Sequence, residues 1–295
     1  MNGFSKLKWE SLSGALRILK KLPLKWAVRA GAFLGFLLWV FSKKKVDEAE
    51  RRCVRALQTG VTNARRIVRV SYMNLGRSVI EFVTVPGSGR PFRSVVSVHG
   101  EEHLRKAVAA GNGVLMLSAH IGNWEFGASV LAERGYPMNA IGADQRDERV
   151  TDRIIRLRAM CGVKTVSKGF DLKAAIRCLK RGEVLAVLID QDVREKGVFV
   201  PFLGLPASTP YGPAKIACKL ESVILPCFMI RRGNSENHDL HILPSPWKSG
   251  RPEQHETMEH AMTLCNNVLS EWISRYPEQW MWLYPRWAST SGEQR

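Results

Sequence analysis

The sequence predicts an α/β protein: a single domain with a largely parallel, mixed sheet flanked by helices, plus an apolar helix near the N-terminus. Three observations predict this class. The 295 residues are 45% hydrophobic, which suffices for a large buried core. From about residue 94, short apolar runs alternate with amphipathic stretches of helical period, a pattern typical of βαβ crossovers and parallel sheets. No linker rich in Pro, Gly or Ser divides the chain.

The first predicted element is an apolar helix within residues 22–41. A helix that crosses a bilayer needs roughly 20 apolar residues, so this segment is either a marginal span or an interfacial helix with cations at its ends. A secretory signal peptide fits poorly because no A-x-A-like cleavage site follows, and a core helix of a soluble protein is the remaining alternative. We favour membrane attachment, and assign residues 1–46 to this anchor and 47–295 to the main domain. The flanking cations are Lys20, Lys21, Lys25, Arg29, Lys43, Lys44 and Lys45.

The remaining elements follow in order. Residues 47–85 have helical spacing throughout and predict a long helical segment, and the pattern changes after Pro86 and Gly87. Strands are predicted near 94–98, 114–119, 138–142, 163–166, 184–190, 222–230 and 238–243. Helices are predicted near 101–110, 124–134, 149–160, 171–181, 210–220 and 256–275.

Charge and cysteine content limit the partners and the compartment. The net charge of +17 favours anionic partners, which include nucleic acid, an anionic membrane, acidic proteins and phosphorylated substrates. The cysteines form no C-x-x-C pair and lie mostly within apolar or helical patterns, which predicts reduced thiols that pack as small apolar side chains. The main domain is therefore expected in a reducing compartment. The six cysteines are Cys53, Cys161, Cys178, Cys218, Cys227 and Cys265.

The most informative segment is VLMLSAHIGNWEFG, residues 114–127. An apolar strand ends at His120, and a helix begins near Asn123, which is a good N-cap. Functional residues gather at such strand ends. Glu125 falls in the first helical turn, where its carboxylate is expected to bond one imidazole nitrogen while the other faces the cleft, an arrangement typical of a general base for an alcohol. The alternative is a capping histidine beside an exposed glutamate.

A second strand end carries two carboxylates. Asp190 and Asp192 follow the apolar run 184–189 and are expected to face the same crevice. A D-x-D pair suggests a metal, but without further obvious ligands these carboxylates are expected to order cationic side chains or substrate hydroxyls. The sequence therefore predicts no metal requirement.

The segment AHIGNWE resembles the H-x-x-x-x-D/E block of glycerolipid-type acyltransferases, in the form found in the lipid A biosynthesis (late) acyltransferase family. Five later segments resemble further blocks of that family in the same order, and the similarity covers roughly residues 20–290. These segments are RLRAMCG (156–162), LKRGEVLAVLIDQD (179–192), GVFVPFLGLPASTPYGPAKIA (197–217), VILPCF (223–228) and YPEQWMWLYPRW (276–287).

The resemblance implies transfer of a fatty acyl chain from an acyl carrier protein thioester to a hydroxyl of an already attached hydroxyacyl chain on a Kdo-lipid A precursor. This reaction of lipopolysaccharide biosynthesis would take place at the cytoplasmic face of the cell inner membrane and need no cofactor beyond the thioester. The charge of +17 suits an acidic carrier protein and a phosphorylated glycolipid in an anionic bilayer. Other acceptors remain open, namely a phosphatidylinositol mannoside, a lysophospholipid or another glycolipid. A non-catalytic membrane-associated protein is the less favoured alternative.

The resemblance also implies roles for single residues. His120 would be the general base, Glu125 its orienting partner, and Asn123 would hold the turn between them. Arg158 matches an arginine of the family and would bind a phosphate or balance charge near the pair. The substrate supplies the attacking hydroxyl, which agrees with the absence of a G-x-S-x-G nucleophile elbow from this chain. Thr209 lies near a predicted helix start, in a loop that would wall an acyl tunnel or bind an anion.

Two other patterns are set aside. Residues 99–103 match the H-x-x-E-H zinc motif formally, but they are interpreted as a turn before the next helix. Three tryptophans beside Arg286 invite base stacking, but the alternating W-M-W-L-Y segment predicts a strand with one face in the core, or an aromatic membrane anchor. No nucleic-acid motif accompanies the charge, so no nucleic-acid partner is expected. Four further histidines are expected at the surface or at sheet edges: His238, His241, His255 and His260.

Overall fold

The computed structural model describes residues 19–142, 145, 147–166 and 172–291. Residues 1–18 of the predicted anchor and residue 171 of a predicted helix lie outside this set. Within it, the α/β class is confirmed. The helices are α1 (Leu24–Phe41), α2 (Lys43–Leu57), α3 (Val61–Thr84), α4 (Glu101–Ala109), α5 (Trp124–Glu133), α6 (Glu148–Met160), α7 (Leu172–Lys180), α8 (Gly212–Leu220), α9 (Met258–Arg275) and the short α10 (Ala288–Ser291).

The strands form one mixed sheet of seven and a separate hairpin. The order across the sheet is β1-β9-β8-β2-β5-β3-β4, and only β8 and β9 pair in antiparallel fashion. Every residue of the central strand β2 is buried, as expected for a parallel strand covered on both faces. The strands are β1 (Val96–His99), β2 (Val114–Ser118), β3 (Met138–Ile141), β4 (Lys164–Val166), β5 (Val184–Leu188), β6 (Val198–Phe202), β7 (Leu205–Thr209), β8 (Val223–Arg231) and β9 (His238–Ile242).

The helical character of residues 47–85 is confirmed, as two helices, because the chain turns at Gln58, whose φ of 49° is left-handed, and α3 starts after Gly60. Two other local predictions are wrong. The W-M-W-L-Y segment forms turns rather than a strand, with one bridge from Trp280 to Ile121. The β6–β7 hairpin stands where a loop was expected.

The sheet separates two apolar clusters. Leu115 and Leu117 of β2 face a cluster with α2, α3, α7, α8 and α9, whereas Val114 and Met116 face a cluster with α1, α4 and α5. The tryptophans of residues 280–287 lie in the first cluster and are almost fully buried, so they are core residues and not a membrane anchor. All six cysteines are free, and each is buried or partly buried, as expected.

Helix α1 packs against α3 through glycines. A Cβ atom on Gly35 would collide with the Tyr72 carbonyl, and one on Gly31 would lie 2.7 Å from the carbonyl oxygen of Gly76. These contacts let the two helix backbones approach closely, as small residues do between membrane helices. The outer face of α1 stays apolar and exposed. Among the described residues, α1 is the one helix long and apolar enough to cross a membrane.

Candidate active site

The candidate site lies at the carboxyl edge of the sheet, where β2 and β5 end side by side. The two strands are parallel, and Ser118 is in register with Leu188. His120 lies two residues after Ser118, and Asp190 lies two residues after Leu188. The topology thus brings together two residues that are 70 positions apart in the sequence, as expected for strand ends in a parallel sheet.

His120 and Asp190 form a two-point contact. The Nδ1 atom of His120 lies 2.8 Å from Oδ1 of Asp190, and the backbone N–H of His120 donates to Oδ2 at 2.8 Å. The indole N–H of Trp280 also donates to Oδ2, at 2.8 Å. The carboxylate is almost fully buried, while the imidazole is 15% exposed. The carboxylate is therefore held from three sides, and the ring keeps access to the cleft.

The charge of Asp190 follows from its partners. Burial raises the pKa of this carboxyl. The charge of His120 and the hydrogen bonds from His120 and Trp280 lower the pKa by more than burial raises it, so the net shift is downward. An ionised carboxylate only accepts hydrogen bonds, so the proton of a neutral His120 sits on Nδ1. Its Nε2 then carries the lone pair that a general base needs.

The turn between His120 and α5 is fixed on several sides. Gly122 has a φ of 58°, and a Cβ atom there would collide with the Met229 carbonyl, so only glycine fits. The Gly122 N–H donates to the Gln279 carbonyl at 2.9 Å, and Ser78 donates to the Gly122 carbonyl at 3.0 Å. Asn123 is the N-cap of α5, as expected, and accepts from the N–H of Phe126 at 3.4 Å.

The expected hydrogen bond between Glu125 and His120 is not what the structure shows. Glu125 instead accepts two hydrogen bonds from Arg158, from Nε at 2.8 Å and from Nη2 at 2.7 Å. Its first-turn position directs it toward α6, so the carboxylate that meets His120 is Asp190. The third nitrogen of Arg158, Nη1, is buried without a hydrogen-bond partner among the described residues and lies beside Gly142. This arginine has donor capacity left for an anionic or carbonyl oxygen.

The other two predicted site residues make internal contacts. Asp192 accepts from the hydroxyl and backbone N–H of Ser289 and from the N–H of Arg194. The Thr209 hydroxyl is buried and accepts from Asn266 at 3.0 Å and Arg286 at 2.6 Å. Their contacts position the hairpin and the C-terminal segment. Arg286 is itself fully buried.

The histidines that were set aside are accounted for by other contacts. His99 bonds Asp239 at 2.7 Å and stacks on His241, so the H-x-x-E-H match is not a zinc site in the described chain. His238 is fully buried in β9, which pairs with β1 on one side and β8 on the other, so the expected position at the surface or at a sheet edge is wrong. It packs against Phe126 and lies 3.2 Å from Glu81.

A small apolar cavity of about 40 Å³ lies between α5 and the sheet, and its lining includes neither His120 nor Asp190. Ser118 and Trp124 lie at the end nearest His120, whose ring meets that of Trp124 edge to face at 4.9 Å. This volume holds only a few water molecules, so an alkyl chain would enter only if side chains moved. Three flexible methionines line the cavity, namely Met116, Met138 and Met229. A larger cavity of about 710 Å³ lies between α2, α9 and the hairpin, and its lining includes neither member of the pair.

The fold and this site define a class of α/β protein in which a partly exposed histidine contacts a buried aspartate at the carboxyl edge of a mixed sheet. Comparison with known proteins specifies the class. The profile of the family described as bacterial lipid A biosynthesis acyltransferase matches residues 8–289, and the chain belongs to that family.

Individual relatives fall into two groups. The chain is 27% identical to the lipid A biosynthesis lauroyltransferase of Escherichia coli (strain K12) over 290 residues, which are 95% of this chain and 90% of that protein. It is 23% identical to the E. coli lipid A biosynthesis palmitoleoyltransferase, with the same coverage. It is also 27% identical to the phosphatidylinositol mannoside acyltransferase of Mycobacterium tuberculosis (strain CDC 1551 / Oshkosh) over 204 residues, which are 67% of this chain and only 62% of that relative.

Proposed function

We propose that this protein transfers a fatty acyl chain from an acyl carrier protein thioester to a hydroxyl of a lipid A precursor. The contact between His120 and Asp190, in a chain of the lipid A acyltransferase family, carries the proposal. The two E. coli lipid A enzymes match nearly the whole chain, whereas the mannoside enzyme matches two thirds of it, which favours a lipid A precursor as acceptor. A phosphatidylinositol mannoside is the alternative acceptor.

In the proposed mechanism, the acceptor hydroxyl donates a hydrogen bond to Nε2 of His120. The imidazole takes this proton as the oxygen attacks the thioester carbonyl, and Asp190 stabilises the imidazolium that forms. The tetrahedral intermediate collapses with cleavage of the C–S bond, and the thiolate leaving group takes the proton from His120. The ester bond forms, the thiol leaves, and no group on the protein is acylated.

The oxyanion of this intermediate needs nearby positive charge. The N-terminus of α5 begins four residues after His120, and its free N–H groups and helix dipole favour an anion. Arg158 supplies a second source, because Nη1 has no hydrogen-bond partner among the residues that the structure describes, while Glu125 binds Nε and Nη2. We propose that Glu125 acts by orienting Arg158, and that the acyl chain enters the methionine-lined cavity beneath α5.

The surface of α1 supports membrane attachment. One face packs on α3, and the other exposes Trp26, Phe33, Leu34 and Phe41, the last to 82%. A helix with one face covered by its own protein suits an interfacial position better than an isolated span. We propose that α1 lies in the cytoplasmic face of the inner membrane, where a reducing compartment also suits the six free cysteines.

The test is acyl transfer by the full-length protein in detergent, with acyl carrier protein and coenzyme A thioesters each offered to three acceptors. These acceptors are a lipid A precursor, a phosphatidylinositol mannoside and a lysophospholipid. We expect transfer from the carrier protein to the lipid A precursor, its loss in His120→Ala, and its retention in His260→Ala, a matched change at an exposed histidine of α9. Transfer only to another acceptor would refute the lipid A assignment, and an active His120→Ala would refute the base.

We also expect full activity after exhaustive chelation. A loss of activity that a divalent ion restores would show a metal requirement.

A further inference from the structure

A buried ionic cluster lies directly behind the turn that carries His120. Glu81 of α3 is fully buried and forms two hydrogen bonds with Arg231 at the end of β8, one of them 2.7 Å long, from Nη2. His238 at the start of β9 lies 3.2 Å from the same carboxylate. The fourth member is Asn123, whose Nδ2 donates to Oε2 of Glu81 at 2.8 Å. The cluster thus joins α3, β8 and β9 to the N-cap of α5.

The charge on Glu81 fixes the orientation of the Asn123 amide. Burial raises the pKa of the Glu81 carboxyl, but His238 and Arg231 lower it more strongly, to about 2, so it is ionised at neutral pH. An ionised carboxylate only accepts, so the amide nitrogen of Asn123 must face Glu81 and its oxygen must face the N–H of Phe126. Ser78, one helical turn earlier in α3, holds the neighbouring Gly122 carbonyl. Helix α3 therefore grips two consecutive residues of the turn.

We propose that Glu81 is a positioning residue for acyl transfer: through Asn123 it sets the turn 120–123 and hence the direction of Nε2 of His120. This inference rests on the proposed function. Stability alone does not require such a cluster, because well-packed apolar side chains often replace a buried ion pair at no loss of stability. The cluster ends on the turn beside the candidate base, where a displacement of about 1 Å can cost about 100-fold in rate.

The first test compares Glu81→Gln with a matched control, Glu183→Gln. Glu183 also accepts from an asparagine, Asn139 at 2.9 Å, and from an arginine, Arg181, but it precedes β5 and so lies at the opposite edge of the sheet. We expect kcat to fall about 10- to 100-fold in Glu81→Gln with the KM for the thioester nearly unchanged. In Glu183→Gln we expect kcat to stay within about twofold, because a contact at that edge does not reach the base. Equal kcat values for the two variants would overturn the proposal.

A second test exchanges donor and acceptor. Asn123→Asp keeps an oxygen that caps α5, but it places two carboxylates against each other, so we expect a loss of activity although the cap remains. The double variant Glu81→Gln/Asn123→Asp restores the hydrogen bond with its direction reversed and keeps one carboxylate in the cluster, but it loses the hydrogen bond from Nη2 of Arg231 to Oε2. We expect it to recover at least about tenfold over Asn123→Asp. Losses that simply multiply would refute the link. Should Glu81→Gln alone not fold, because Arg231 is left without its counter-charge, the ratio of the double variant to Asn123→Asp still decides, and a double variant no more active than Asn123→Asp would refute the link.

A spectroscopic readout separates this inference from the proposed function. In protein with ¹⁵N-labelled histidine, the ring signals of His120 are assigned as those missing from His120→Ala. We expect Glu81→Gln to shift them and Glu183→Gln to leave them in place, whatever acceptor the enzyme uses. A folded wild-type protein that transfers no acyl group would contradict the proposed function alone. Unchanged His120 signals in Glu81→Gln would contradict the positioning role alone.

Discussion

Replacing Asp190 by asparagine gives the sharpest test of the candidate base. The carboxylate accepts three N–H groups, two from His120 and one from Trp280. An asparagine has one oxygen, so its NH₂ group must face a donor in either orientation. An NH₂ group in the position of Oδ2 would leave two donors unpaired, the backbone N–H of His120 and the indole N–H of Trp280. An NH₂ group in the position of Oδ1 would meet only Nδ1 of His120. The second orientation is therefore favoured, and it forces the imidazole proton onto Nε2, where a base must have its lone pair.

The magnitude follows from this tautomer. Loss of one charge-assisted hydrogen bond costs about 1.5–3 kcal/mol, or roughly 10- to 100-fold in rate. The wrong tautomer in a comparable Asp–His pair costs about 10⁴-fold, or roughly 5.5 kcal/mol. We therefore expect a fall in single-turnover rate of about 10³- to 10⁴-fold at saturating thioester.

The control for this prediction is Asp239→Asn. Asp239 lies in β9 and also bonds a histidine, His99, at 2.7 Å, but outside the site. The rates are measured on protein whose thermal unfolding is cooperative. If Asp190→Asn keeps more than about a tenth of the wild-type rate, the loss is smaller than that expected for even one charge-assisted hydrogen bond. His120 is then not a base oriented by Asp190.

Three further predictions concern stability and membrane binding. The pKa of Glu81 falls from 4.5 to about 2 on folding, so the ionised carboxylate stabilises the folded protein above pH 4.5 and this stabilisation is lost as the pH falls toward 2. Urea unfolding should show a loss of about 3 kcal/mol in the free energy of unfolding of the wild type over this range, and no such loss in Glu81→Gln. Gly35→Leu should destabilise the protein by about 1–3 kcal/mol through overpacking against α3, whereas Gly60→Ala, where a Cβ meets nothing within 4 Å, should stay within about 1 kcal/mol. Phe41→Ser should weaken sedimentation with anionic vesicles about tenfold, since burial of such a side chain contributes about 1.5–3 kcal/mol, whereas the matched exposed change Phe199→Ser on the hairpin should not; equal effects would exclude α1 as the membrane contact.

The sequence predicts the sheet and the location of the site because both depend on local patterns. Apolar runs followed by polar residues mark β2 and β5, and His120 and Asp190 each stand two residues past a registered pair. The partner of His120 is mispredicted because sequence proximity favours Glu125. A carboxylate in the first turn of α5 is directed by the helix, and here it meets Arg158 on α6. The better sequence signal for the pair was that His120 and Asp190 follow their two apolar strands at the same distance.

The missed hairpin has a different cause. Its turn is formed by Leu203 and Gly204, with φ values of 49° and 76°, as a two-residue hairpin loop of this type requires. Leucine is an unusual residue at such a φ, and Pro201 and Pro206, which face each other across the hairpin, argue against strands in any reading of the sequence. The pair is possible because the hairpin stays outside the main sheet, where a missing N–H leaves no strand neighbour unpaired.

Helix α3 connects the apolar surface to the candidate base within a short distance. Gly76 packs against the glycines of α1, and Glu81, five residues later, accepts a hydrogen bond from Asn123. At 1.5 Å per residue, these contacts are about 7.5 Å apart along one helix axis. An acceptor lipid that stays in the bilayer must present its hydroxyl at a fixed depth, and an enzyme that reaches it needs Nε2 of His120 at a fixed distance from its lipid-facing helix. A single rigid helix that contacts both α1 and the turn sets that distance, whereas a flexible linker between an anchor and a domain would not.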